Sequence, residues 1–274
     1  MGATRIEYTD VVWNPVTGCS PVSEGCQNCY ARRFAQRLRG RCGYPSDNPF
    51  RVTLHGARWN EPFRWRKPRR VFVCSMSDLF HEDVPDGFID DVMSTVSACL
   101  QHTFLLLTKR PDRMANYFEA WMFRKQRQIP PNLWLGVSVE NQRRADERIP
   151  ILLQIPAAMR FVSCEPLLGP IDLSDWLYCY VCHNTGEHYN PVFDDVEDCP
   201  VCGGGLPELD WVIAGAETGP GARPCDPEWV RSLRDQCKAA GVPFFFKRWS
   251  NTSRLVDGRE WNEMPCRVSG GDAG

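Results

Sequence analysis

The run "TFLLLTKR", residues 103–110, decides how the chain is read. A strand with one wet face alternates apolar and polar side chains, whereas 103–108 is apolar or β-branched throughout. Such a run suits a strand of a parallel sheet, covered on both faces. It closes on Thr108, Lys109 and Arg110, polar groups at what would be the strand's carboxyl end. Moving outward, the same pattern recurs in "RVFVCSMSD" (70–78), "LWLGVSVEN" (133–141), "MRFVSCEP" (159–166), "DWVIAGAETG" (210–219) and "VPFFFKRW" (242–249), with "VVWNPVTG" as a first strand near the N-terminus.

Helical stretches separate these runs. "PDGFIDDVMSTVSACLQ" (85–101) has apolar residues at helical spacing, and "DPEWVRSLRDQCKAAG" (226–241) starts on an Asp cap and stops at a Gly. Alternation of strand and helix over 274 residues predicts an α/β fold, a complete or partial TIM-like (βα) barrel, with a doubly wound open sheet as the competitor. The rhythm breaks at 179–202, which has no strand–helix pattern and reads as an insertion. The expected layout is a discontinuous barrel-like domain of 1–178 and 203–266, the insertion, and a flexible low-complexity tail at 267–274.

Hydrophobic residues make up 43% and charged ones 24%, with a net charge of −2, so binding to an anionic partner would need a local basic patch. No run approaches the roughly 18 apolar residues of a membrane span, and the first residues lack a secretory apolar core, so a cytoplasmic protein with no membrane partner is expected. In a reducing compartment its 14 cysteines are expected to hold metal or carry chemistry where they cluster, rather than to form disulfides. Single cysteines in helical patterns, Cys99 and Cys237, read as small buried apolar residues.

Two clusters stand out. Cys179-x2-Cys182 and Cys199-x2-Cys202, sixteen residues apart, have the spacing of a four-thiolate zinc ribbon, a closed Zn2+ shell whose role is structural. Cys19-x6-Cys26-x2-Cys29 stops at three, on the loop between the first strand and the first helix. Three thiolates on a [4Fe–4S] cluster leave one iron open to a cofactor or substrate. The competing reading is a second zinc site, with Cys42 or His55 as a fourth ligand.

On that trio and the (βα) rhythm, the sequence resembles the radical SAM superfamily, although the first gap is six residues here and usually three there. The resemblance implies a [4Fe–4S] cluster on the loop after the first strand, S-adenosyl-L-methionine on its open iron, a reductant supplying one electron, and a 5′-deoxyadenosyl radical. The sequence also resembles, along nearly its whole length, a phage- and prophage-associated family of unknown function. Residues 13–19, 26–31, 138–141, 163–170, 214–223 and 244–249 carry that likeness. Strand-end position then nominates Ser75, Ser77, Asp78, Ser138, Glu140, Glu165, Glu217 and Arg223 for cofactor binding, and Lys109, Arg110 and Lys247 as catalytic cations.

The substrate side is read from "RWRKPRR" (64–70), where Trp65 sits among five basic residues, a composition suited to tracking phosphates and stacking bases. The plain alternative is a solvated loop ahead of the second strand; with the likeness to the phage-associated family beside it, a nucleic acid or nucleotide is the expected partner. The alternative is a non-catalytic zinc protein with both cysteine clusters structural, serving as a nucleic-acid or protein binding module.

Overall fold

The computed structural model describes residues 4, 6–177, 187–190, 195–198 and 209–265. All seven apolar runs become strands of one parallel sheet: β1 (Val11–Trp13), β2 (Arg70–Val73), β3 (Thr103–Thr108), β4 (Leu133–Ser138), β5 (Arg160–Cys164), β6 (Trp211–Ala214) and β7 (Phe244–Phe246). They stand side by side in chain order. A doubly wound sheet reverses direction partway. This one never does, and among the described residues β7 does not pair with β1, so the sheet is a curled partial barrel.

The two faces of the sheet carry different cores. Alternate residues point outward, such as Val71, Phe104, Leu135, Val162, Val212 and Phe244, and pack against the helices. Those helices are α2 (Asp86–Ala98), α3 (Pro111–Glu119), α4 (Gln142–Leu153) and α5 (Pro227–Ala240), while α1 (Tyr30–Arg37) buries Ala31 and Ala35 in a separate cluster with Tyr44, Phe50 and Met76. The intervening residues, Phe72, Leu105, Trp134, Phe161, Trp211, Ile213 and Phe245, fill the concave side with Tyr8 among them. Each fully buried large side chain contributes on the order of 1.5–3 kcal/mol. Tyr8 meets Phe72, Trp211 and Phe245 edge-on at 5.4–6.2 Å, so one N-terminal ring joins the second strand to the last two. Glu7 adds ion pairs to Arg248 and Arg254 beyond β7.

The helix ends follow the sequence signals. The Asp226 side chain accepts the Glu228 N–H at 2.9 Å, and Gly241 closes α5 in the left-handed conformation at φ 70°. Cys99 and Cys237 are fully buried. Within the insertion, Glu187–Asn190 and Asp195–Asp198 pair antiparallel, outside the strand–helix alternation of the rest of the chain. Cys179, Cys182, Cys199 and Cys202, with the boundaries at 178 and 203 and the tail 267–274, lie outside the described residues.

Candidate functional site

From β1 the chain passes through a two-residue strand, Val16–Thr17, that pairs with Thr53–Leu54. It then turns at Gly18, whose φ is +87° and where a Cβ would lie 2.2 Å from the Arg51 carbonyl oxygen, so only glycine fits. Cys19 follows at once. Cys26 ends a single 3-10 turn, Glu24–Cys26, and Cys29 immediately precedes α1. All three thiols are reduced and partly buried, on one loop beyond the carboxyl end of the sheet. Burial pushes the Cys19 thiol up to about 11, with Asp78 adding to the rise; the Arg110 guanidinium, 3.5 Å from its Sγ, and a hydrogen bond from it act in the opposite direction.

Strand-end charges grip this loop at three points. Beyond β3, Arg110 donates to the Ser20 carbonyl at 3.2 Å and to Ser20 Oγ at 3.0 Å, and pairs with Asp78 at 3.4 Å and Glu82 at 3.1 Å. Asp78 in turn accepts from Thr108 Oγ1 and the Lys109 N–H. Beyond β4, Glu140 is wholly buried. Its Oε1 takes Lys109 Nζ at 2.6 Å and Ser23 Oγ at 2.6 Å, and its Oε2 takes Arg148 at 2.9 Å. Burial works against its charge, but Lys109 and Arg148 outweigh it and hold its pKa below the usual value. Gly25 lies so close that a Cβ there would meet Glu140 Oε1 at 2.3 Å.

The third grip lies beyond β6. Glu217 pairs with Arg223 at 2.6 Å and accepts from Asn28 Nδ2 at 2.9 Å, while Arg223 reaches the Glu24 carbonyl at 3.0 Å and Gln27 at 3.3 Å. Burial tends to raise the Glu217 pKa, yet hydrogen bonds from Arg223 and Asn28 overcome it and hold it at about 2. Glu24 is likewise held at about 2 by Arg144 of α4, 2.8 Å away.

The nominated residues therefore divide. Asp78, Lys109, Arg110, Glu140, Glu217 and Arg223 converge on the cysteine loop. Ser75 and Ser77 tie the end of β2 to the β1 connection: Ser75 Oγ donates to Asn14 Oδ1, its carbonyl accepts the Tyr30 hydroxyl, and Ser77 Oγ donates to the Val16 carbonyl. Ser138 is buried, its carbonyl taking Arg148. Glu165 and Lys247, at the ends of β5 and β7, instead pair with each other at 2.7 and 2.9 Å across Gly215, partly exposed beside the loop. Cys42 is exposed, and His55 Nε2 is engaged by Thr17 Oγ1 at 2.8 Å.

The basic run 64–70 lies elsewhere. The Pro62 carbonyl meets His102, the residue before β3, at 3.1 Å, and Trp65 packs on that His102 ring at 5.6 Å and is only 6% exposed. The run thus sits at the amino end of the sheet, opposite the cysteines, and its tryptophan is core rather than a stacking platform. Sequence reasoning missed Ser23, Asn28 and Arg148. Ser23 and Asn28 have partners 117 and 189 residues away and carry no local signal. Arg148 did carry one: with Ala145, Ile149 and Leu152 it completes a buried helical stripe, a cation where an apolar residue belongs.

Among the described residues, no group of three or more His, Cys, Asp or Glu side chains is drawn together closely enough to hold a metal ion, the trio included. The donor set still fits an open cluster site in its chemistry: three reduced thiols on one loop, with a guanidinium beside the first. No described helix is long and apolar enough to cross a membrane. No curated protein matches the sequence. Among solved structures, spore photoproduct lyase complexed with a dinucleoside spore photoproduct overlaps 85% of this chain and 75% of that one, at 11% identity and a TM-score of 0.43, a loose likeness only. Over residues 3–265 the chain matches the family described as "Protein of unknown function (DUF5131)", and it belongs to that family.

Proposed function

We propose that this protein is a radical SAM-like iron–sulfur enzyme of the phage or prophage type, acting on a nucleic acid or nucleotide. The observation that carries the reading is the placement of Cys19, Cys26 and Cys29 on one loop at the carboxyl end of a curled parallel sheet, the end at which such folds gather chemistry. These three thiols would hold the cluster, which supplies an open iron and a one-electron path when bound.

The chain's own residues do the rest. Arg110 offers positive charge to the Cys19 sulfur, easing its deprotonation. Glu140, Glu217 and their cationic partners fix the loop. Glu165 and Lys247, left to each other at the rim, are the pair free to exchange partners for the amine and carboxylate of S-adenosyl-L-methionine. The four cysteines of 179–202 are assigned to a structural Zn2+.

Purification without oxygen tests this directly. A brown protein with about four iron and four sulfide per chain is expected, with the iron lost in Cys26→Ala and retained in Cys199→Ala. A colourless wild-type protein holding only zinc at both clusters would leave a binding module instead. S-adenosyl-L-methionine affinity should fall about ten-fold or more in Glu165→Gln and Lys247→Met; affinity equal to wild type in both would remove that pair from the site.

A further inference from the structure

We infer that α1 and the turn after it form the nucleic-acid surface of this protein, with single-stranded DNA or RNA as the ligand class. Residues 30–41 hold Arg32, Arg33, Arg37, Arg39 and Arg41, and no Asp or Glu occurs between Glu24 and Asp47. In a chain of net charge −2 this is a local excess of five positive charges. None of the five meets a carboxylate among the described residues. Arg33 donates to the Thr218 and Pro220 carbonyls, Arg39 to the Ser46 carbonyl and Gln36, and Arg41 to the Arg37 carbonyl, while Arg32 lies 5.5 Å over the Phe50 ring. Elsewhere the arginines at the mouth, Arg110, Arg148 and Arg223, are all matched by carboxylates.

The same helix presents aromatic rings to solvent. Ala31 and Ala35 face the body of the protein and are buried, whereas Tyr30 and Phe34, also four residues apart, are 54% and 48% exposed. Residues at that spacing stack one above the other on a helix face. Two rings flanked by uncompensated guanidinium groups match what a single strand offers: a base face to each ring and a phosphate to each cation. The position is informative as well. Tyr30 follows Cys29 directly, and its hydroxyl bonds Ser75 at the end of β2, so a strand lying along α1 would run up to the cysteine loop. The run 64–70, at the far end of the sheet, offers cations without an exposed tryptophan.

This surface rests on the nucleic-acid part of the reading above and not on its iron–sulfur part. The test is fluorescence anisotropy of labelled single-stranded DNA and RNA, each of about 12 nucleotides, titrated with anaerobically prepared protein whose iron has been counted. Phe34→Ala and Tyr30→Ala should each raise Kd roughly five-fold or more. Arg32→Gln and Arg37→Gln should each make the slope of log affinity against log salt about 0.7 shallower. Arg66→Gln and Lys67→Gln should bind as wild type does. Wild-type affinity and salt slope in all four α1 variants, or equal weakening in the 66 and 67 variants, would overturn the surface, as would absence of binding to either strand. Binding through α1 by a protein found to lack iron would keep the surface and remove the enzyme.

Discussion

At Glu217 burial and hydrogen bonding oppose each other, and hydrogen bonding wins. The folded pKa of about 2, against 4.5 ordinarily, means that the native protein binds fewer protons than the unfolded chain between those values. Its stabilising effect is therefore complete above about pH 4.5 and is lost as pH falls toward about 2. Glu24, held down by Arg144, has the same sign and window. The melting temperature should fall steeply from about pH 5 to about pH 2. Glu217→Gln, with its shape kept and charge removed, should melt below wild type near pH 6 and converge with it near pH 2. Equal curves across the range would mean the ion pair contributes nothing. The residues nominated from strand ends were legible because polar groups closing an apolar run are conspicuous. Their partners on the loop were not, because a serine or asparagine in a turn looks the same whether or not a carboxylate arrives from a distant part of the chain.

Among the elements, α4 has the most unusual composition for its place. Arg148 points from it into the sheet, 4% exposed, onto a Glu140 that is wholly buried. Removing one member of a buried pair leaves the other uncompensated, which typically costs about 3–5 kcal/mol. Lys109 still holds the other oxygen of Glu140, so Arg148→Met should lose about 3 kcal/mol in urea unfolding, at the low end of that range. It should also loosen the loop through Ser23, seen as faster thiol labelling of Cys26 in the folded protein. Labelling at the wild-type rate would separate the pair from the loop. The strands themselves were readable because continuous apolar runs are rare outside sheets covered on both faces. The antiparallel pair of 187–190 and 195–198 was not, since four-residue strands rich in charge leave little periodic trace.

For the whole molecule, the alternation of strand and helix predicted the α/β class, but whether the sheet closed or stayed open depends on contacts no local pattern encodes. The span is made by Tyr8, 2% exposed, a residue from a segment that looks unremarkable in sequence. Tyr8→Ala should cost about 3–5 kcal/mol by urea denaturation, as for a large buried ring, and Tyr8→Phe much less, since its packing survives. A loss below about 1 kcal/mol would show that the second strand and the last two hold together without it. The aromatic filling of the concave side has a further result. Phe72, Trp134, Phe161, Trp211 and Phe245 pack with Tyr8, so the concave side is filled by the protein's own rings. Room for a ligand is therefore left beyond the strand ends, where Cys19, Cys26 and Cys29 lie, and not along the hollow of the sheet.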